Sequence, residues 1–315
     1  MARVPRAPAL AALIVLLAWL AAGPAPAASP PQALEARARG GPVRVVATIF
    51  PVATIVREIG GDLVAVSTVV PAGADPHSFE LTPTTARAMG EAEILFSVAA
   101  AFDGWAIPAD SPGGRQPSGG QSGPALVVLE PALKDSLMVL GGGFNPHFWL
   151  DPLIAREIGR LACRELCRVD QANCPTYEAR TQVLAARLDS LDAAIRTRLE
   201  GLPARDFVAV HPAWTYFARR YGLRERSVLE RVPEQEPSAK WIARVLKEMR
   251  RDKVRLVVAE EFSNMALATM VAEEVQAKVV VLDPLGGETR PGRDSYFALI
   301  DYNTSRLERA LEGAK

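Results

Sequence analysis

The sequence predicts an α/β protein of two doubly wound lobes joined by one long helix. Three observations carry this. Apolar runs alternate with helical patterns from Val43 to near the C-terminus. Runs such as Leu256-Val257-Val258-Ala259 and Val279-Val280-Val281-Leu282 hold no interleaved polar residue, as expected of strands buried on both faces of a parallel sheet. A helical pattern far longer than the others, residues 175–202, separates two such βα regions.

Taken in order, the pattern predicts a strand at 43–49 and a helix near 52–59 that Gly60-Gly61 stops. A second strand is predicted at 63–70, and its trailing loop carries His77. A helix at 84–91, a strand at 93–98, a short helix at 99–107 and a strand at 126–130 follow. Asp151 and Pro152 read as the N-cap and first turn of a helix over 152–168. In the long pattern, Leu184, Leu188, Leu191, Ile195 and Leu199 fall on one helical face. At 1.5 Å per residue that helix spans roughly 40 Å.

The second half repeats the alternation. Strands are predicted at 207–211, 227–230, 254–260 and 278–283. Helices are predicted at 213–221, 238–251, 265–275 and 295–311. Residues 108–124, rich in Pro, Gly, Ser and Gln, break the order and read as a mobile loop.

The N-terminus reads as a secretory signal over 1–28. Arg3 and Arg6 precede an apolar stretch from Ala9 to Leu20, and Ala25-Pro26-Ala27 resembles a small-residue cleavage site. The apolar stretch is short for a membrane span, which takes about 20 residues. The expected partition is a signal at 1–28, a first lobe at 42–169, a linking helix at 170–203 and a second lobe at 204–315. The expected location is the periplasm, with the signal cleaved.

The chain has 36 basic and 36 acidic residues. Residues 1–28 hold two arginines and no acid, so the remainder is 34 minus 36, or −2. That balance argues against nucleic acid or an anionic membrane surface as partner. The expected state is a monomer. Cys163, Cys167 and Cys174 are the three cysteines. Export permits a disulfide, expected between Cys174 and either Cys163 or Cys167.

The histidines point to chemistry. There are three, each beside or near a proline: His77 in Asp75-Pro76-His77, His147 in Asn145-Pro146-His147, and His211 before Pro212. Neutral imidazole is the commonest protein ligand for zinc and related metals, and neighbouring proline limits the backbone that holds it. His211 and Asp283 end predicted strands and His77 follows one. Ligands of open α/β sheets bind outside the carboxyl ends of strands. Asp283 has another reading, as the cap of an Asp-Pro turn. Glu260 and Glu261 also end a strand and rival it as oxygen donors. Asp75 and Glu80 are placed to orient His77, and Glu80 is equally placed to cap the helix that follows.

Together these segments resemble a known family. Asp75 to Pro83, Asn145 to Pro152, His211 to Leu223, Glu236 to Ala239, Leu282 to Leu285 and Tyr296 to Asn303 are similar to the metal-binding proteins of bacterial ABC importers for zinc and manganese. The resemblance runs over about 43–312. It implies two lobes linked by the long helix and a metal held between them. Carried over by position, the ligands are His77, His147, His211 and Asp283. It also implies membrane permease subunits as partner. The cargo it points to is Zn2+, because manganese-type relatives tend to place a carboxylate where His211 stands. Mn2+ or Fe2+ is the alternative. Two departures stand out: the 108–124 segment lacks the histidines many zinc-type relatives carry there, and Pro212 occupies a position where an acid is frequent. No enzyme is expected, since four protein ligands would close the position a zinc hydrolase keeps for water. A surface adhesin or structural role is the remaining alternative.

Overall fold

The computed structural model describes residues 41–107, 124–137, 139–140, 143–231 and 235–313. The expected signal segment and nearly all of the expected 108–124 loop lie outside them.

Two parallel four-stranded sheets organise the chain. The first contains β1 (Val43–Ala47), β2 (Val64–Thr68), β3 (Ile94–Ser97) and β4 (Ala125–Val128), in the order β2-β1-β3-β4. The second contains β7 (Asp206–Ala209), β8 (Arg224–Val228), β9 (Leu256–Glu260) and β10 (Lys278–Leu282), in the order β10-β9-β7-β8. All inner neighbours run parallel. Helices close both faces, so β3 and β9 are buried along their whole length. That explains their unbroken apolar composition.

In the first lobe, α1 (Phe50–Gly60), α2 (Pro83–Gly90), α3 (Ala100–Asp103) and α4 (Leu129–Leu133) connect the strands, with a short antiparallel pair, β5 (Val139–Leu140) and β6 (Gly143–Phe144), after them. Next comes α5 (Pro152–Val169), capped as expected by Asp151, which accepts from the Leu153 and Ile154 amides. The strut is α6 (Cys174–Glu200). It packs on α1 and α5 at one end and on α10 (Tyr296–Glu312) at the other. Of the five residues the spacing singles out, Leu184, Leu188, Ile195 and Leu199 are buried and Leu191 is half-buried; Tyr177 is buried besides them. Arg187 pairs with Glu58 of α1, and Arg198 pairs with Asp301 and Glu308 of α10. Cys167 and Cys174 join the end of α5 to the start of α6 by a disulfide, and Cys163 is a free thiol facing the core. Among the described residues no helix is long and apolar enough to cross a membrane.

Two expected elements are redrawn. The apolar run after β4 turns into α4 at Leu129 rather than extending the strand. The expected strand at 227–230 begins earlier, at Arg224. As the outermost strand, β8 keeps charged Arg224 and Arg226 exposed, so no apolar run marks it. The remaining helices of the second lobe are α7 (Thr215–Arg220), α8 (Ala239–Asp252) and α9 (Met265–Glu274).

Candidate metal centre

The three histidines reach one point from three loops at the carboxyl ends of strands. His77 follows β2, His147 precedes α5, and His211 follows β7. Asp75 accepts from the His77 amide at 2.9 Å and fixes the Asp-Pro-His turn. Asn145 does the same for the His147 amide at 2.9 Å. The Nε2 of His147 lies 3.3 Å from that of His77 and 3.2 Å from that of His211. His147 and His211 are buried and His77 is half-buried.

Aromatic rings close the first-lobe side. Phe102 meets His77 and His147 edge-on at centroid distances of 4.7 and 5.6 Å. Trp149 packs on His147 at 5.3 Å. In this dry setting a protonated imidazole is costly. Burial, then the neighbouring rings of His211 and His77, hold His147 well below its ordinary value. Burial, with His77 second, lowers His211 to about 3. The tautomer of His147 is also fixed. Its Nδ1 is 2.8 Å from Asn145 Oδ1, which only accepts, so Nδ1 carries the proton and Nε2 presents its lone pair.

The fourth expected residue, Asp283, is buried just past β10 but does not join the cluster of the three histidines. Its Oδ1 accepts from the Leu285 and Gly286 amides at 2.9 and 2.8 Å. Its Oδ2 accepts from Arg293 at 2.9 Å, and Arg293 also holds Glu261. Asn303 of α10 accepts from the Asp283 amide at 2.8 Å and donates to its carbonyl at 2.6 Å. Glu261 is thereby engaged by Arg290 and Arg293. Glu260 is fully buried: Trp214 donates to Oε1 at 2.9 Å and Ser263 to Oε2 at 2.6 Å. Burial pushes its carboxyl up to about 8, against those two hydrogen bonds. Asp75 orients the His77 turn as expected, accepting from the His77 amide and from the Ser78 hydroxyl.

A cavity of about 1050 Å³ opens in front of the histidines. Glu225, Arg231 and Trp241 of the second lobe stand on its far wall. Burial raises Glu225 to about 7, opposed by the Thr215 hydroxyl, which donates to Oε2 at 2.7 Å. Neither residue is marked by the sequence pattern. The available signal is a lone acid inside the short strand β8, between two arginines.

Comparison with known proteins follows this geometry. Residues 45–310 match the family model described as zinc-uptake complex component A, periplasmic. The high-affinity zinc uptake system protein ZnuA of Bacillus subtilis is 24% identical over 290 residues, covering 87% of this chain and 88% of that protein. A crystal structure of ZnuA superposes with a TM-score of 0.72 at 26% identity, covering 85% of this chain and 99% of the other. The laminin-binding protein Lmb of Streptococcus agalactiae, described as bifunctional with adhesin and metal-transporting activity, gives 0.74 at 26% identity over 86% and 99% of the two chains.

Proposed function

This chain belongs to the family of periplasmic zinc-uptake complex component A proteins, and from that premise we propose that it captures Zn2+ outside the cytoplasm and delivers it to an ABC-type importer. The ligands in this reading are His77, His147 and His211, with Asp283 as the fourth donor. The protein acts as a monomer after loss of a signal over 1–28. Its working parts are a first lobe at 42–169, a linking helix at 170–203 and a second lobe at 204–315.

One observation carries the cargo assignment. Tetrahedral zinc with nitrogen at roughly 2.0–2.1 Å needs nitrogens about 3.3 Å apart. The two Nε2 separations of 3.3 and 3.2 Å fit that edge without moving a ring. Three neutral imidazoles favour zinc over the harder Mn2+, which also binds more weakly to a given donor set. Asp283 enters the reading through Oδ2, the oxygen it shares with Arg293.

The test is a competition titration of metal-stripped protein with Zn2+ and Mn2+, with metal counted per chain. One tight zinc per chain, with manganese displaced, supports the reading. Preference for manganese or iron would transfer the same role to another cargo. No tight metal would end it.

A further inference from the structure

Asn145 touches both lobes, and its amide has no freedom to flip. Pro212 O, 2.6 Å away, can only accept, so the atom facing it is Nδ2. The opposite atom is then Oδ1, which holds both the amide and the Nδ1 proton of His147. Pro212 is the residue after His211. The same carboxamide therefore ties the ring of one histidine to the backbone beside another.

The second Nδ2 hydrogen faces Thr215 Oγ1 at 3.3 Å. Thr215 has one proton and two acceptors in reach: Glu225 Oε2 at 2.7 Å and Pro212 O at 3.1 Å. With Glu225 ionised, the shorter bond to the carboxylate is the stronger, so the Thr215 proton goes to Glu225 and a hydroxyl lone pair is left for Asn145. The four groups thus donate in one direction, from His147 through Asn145 and Thr215 to Glu225. The other oxygen of Glu225, Oε1, is buried without a hydrogen-bond partner, so Thr215 is the donor that holds this carboxylate.

We propose that Thr215 and Glu225 are positioning residues for the metal site: together with the Pro212 carbonyl they hold Asn145, across the lobe interface, in the orientation that leaves the His147 Nε2 lone pair facing the cargo. This rests on the reading of His147 as a ligand. It makes the ring of a first-lobe histidine depend on two second-lobe side chains. Juxtaposition of the lobes and readiness of the site are then one event.

The experiment uses the full mature chain with Thr215→Val, Thr215→Ser and Glu225→Leu. Thr215→Val keeps shape but leaves one Asn145 N–H without its acceptor. Two readouts are taken. Long-range 1H–15N NMR of the metal-free protein reports the His147 tautomer, and chelator competition reports zinc affinity. In wild type and Thr215→Ser, His147 should be a single Nδ1–H tautomer. In Thr215→Val and Glu225→Leu, the signal should become a tautomer mixture, with His77 and His211 signals unmoved. Zinc affinity should fall roughly 10- to 100-fold, the usual loss when a ligand's supporting hydrogen bond is removed. A merely structural role would alter melting temperature without moving the tautomer. An unmixed His147 tautomer and zinc affinity within twofold of wild type in both variants overturn the proposal. If wild type binds no zinc while Thr215→Val still mixes the tautomers, the relay stands and the cargo assignment fails.

Discussion

His147 and His211, one from each lobe, place their Nε2 atoms 3.2 Å apart with ring planes at 83°. At that distance a neutral His211 can donate from Nε2 to the His147 lone pair, and a cation bound between the two rings would take the place of that shared proton. Their spacing is a property of the fold, because each ring sits on a loop whose far end is a buried strand or helix.

His211 should decide selectivity. Replacing it with Glu exchanges a borderline nitrogen for a hard oxygen. In competition titrations of His211→Glu, zinc affinity should fall at least tenfold, about 1.4 kcal/mol, and the preference over Mn2+ should narrow. Unchanged affinities for both ions would remove His211 from the ligand set.

Asp283→Asn tests the fourth donor. The substitution keeps Oδ1 for the Leu285 and Gly286 amides and removes the charge at Oδ2. Zinc affinity should drop about tenfold or more (about 1.4 kcal/mol) while the fold melts near its usual temperature. Calorimetry giving an affinity within twofold of wild type would restrict Asp283 to capping its turn.

The metal-free protein should lose stability in acid. Unfolded imidazoles take protons near pH ~6.5, whereas burial holds His211 at about 3 and His147 far below its ordinary value. Between those limits the unfolded chain binds more protons, so stability falls as pH drops from about 6.5 toward about 3. The same burial moves proton competition at these two residues below the pH 7 to 5 interval that free imidazole suggests. Thermal melts in chelator from pH 7.5 to 4 should show the loss, and His211→Gln should show a shallower one. Equal slopes would contradict the assigned shift.

Glu260 carries the opposite sign. Its folded value of about 8 exceeds the ordinary 4.5. The folded state therefore holds an extra proton in between, and its contribution is complete below about 4.5 and lost as pH rises through about 8. Urea melts of Glu260→Gln should lack that decline. Its zinc affinity at pH 7 should match wild type; a tenfold loss would make Glu260 a ligand.

Removing the Cys167–Cys174 disulfide should cost about 2–3 kcal/mol, the closure entropy of so short a loop. Cys174→Ser and reduced wild type should melt at the same lower temperature and still bind one zinc. A loss of zinc stoichiometry would mean that the α5–α6 junction shapes the site.

The strands and the histidines were legible because their signals are local. An apolar run marks a strand buried on both faces, and Pro beside His marks a rigid turn. The edge strand β8 was not legible at its start, since Arg224 and Arg226 face water. Nor was the pairing of Cys174. Cys163 and Cys167 are one turn apart, and only the packing of α5 turns the first into the core and the second toward α6. Glu225 and Thr215 were missed for a related reason. Thr215 meets Asn145 across the lobes and Glu225 meets Thr215 from β8, and no spacing rule connects these residues.

Asn303 stands where the outer strand β10 has no further neighbour, and its amide pairs with both backbone groups of Asp283 as an adjoining strand would. The carboxylate at 283 is therefore aimed by a residue made twenty positions later. A loosened α10 would release the aspartate while the three imidazoles, carried by loops of other elements, kept their places.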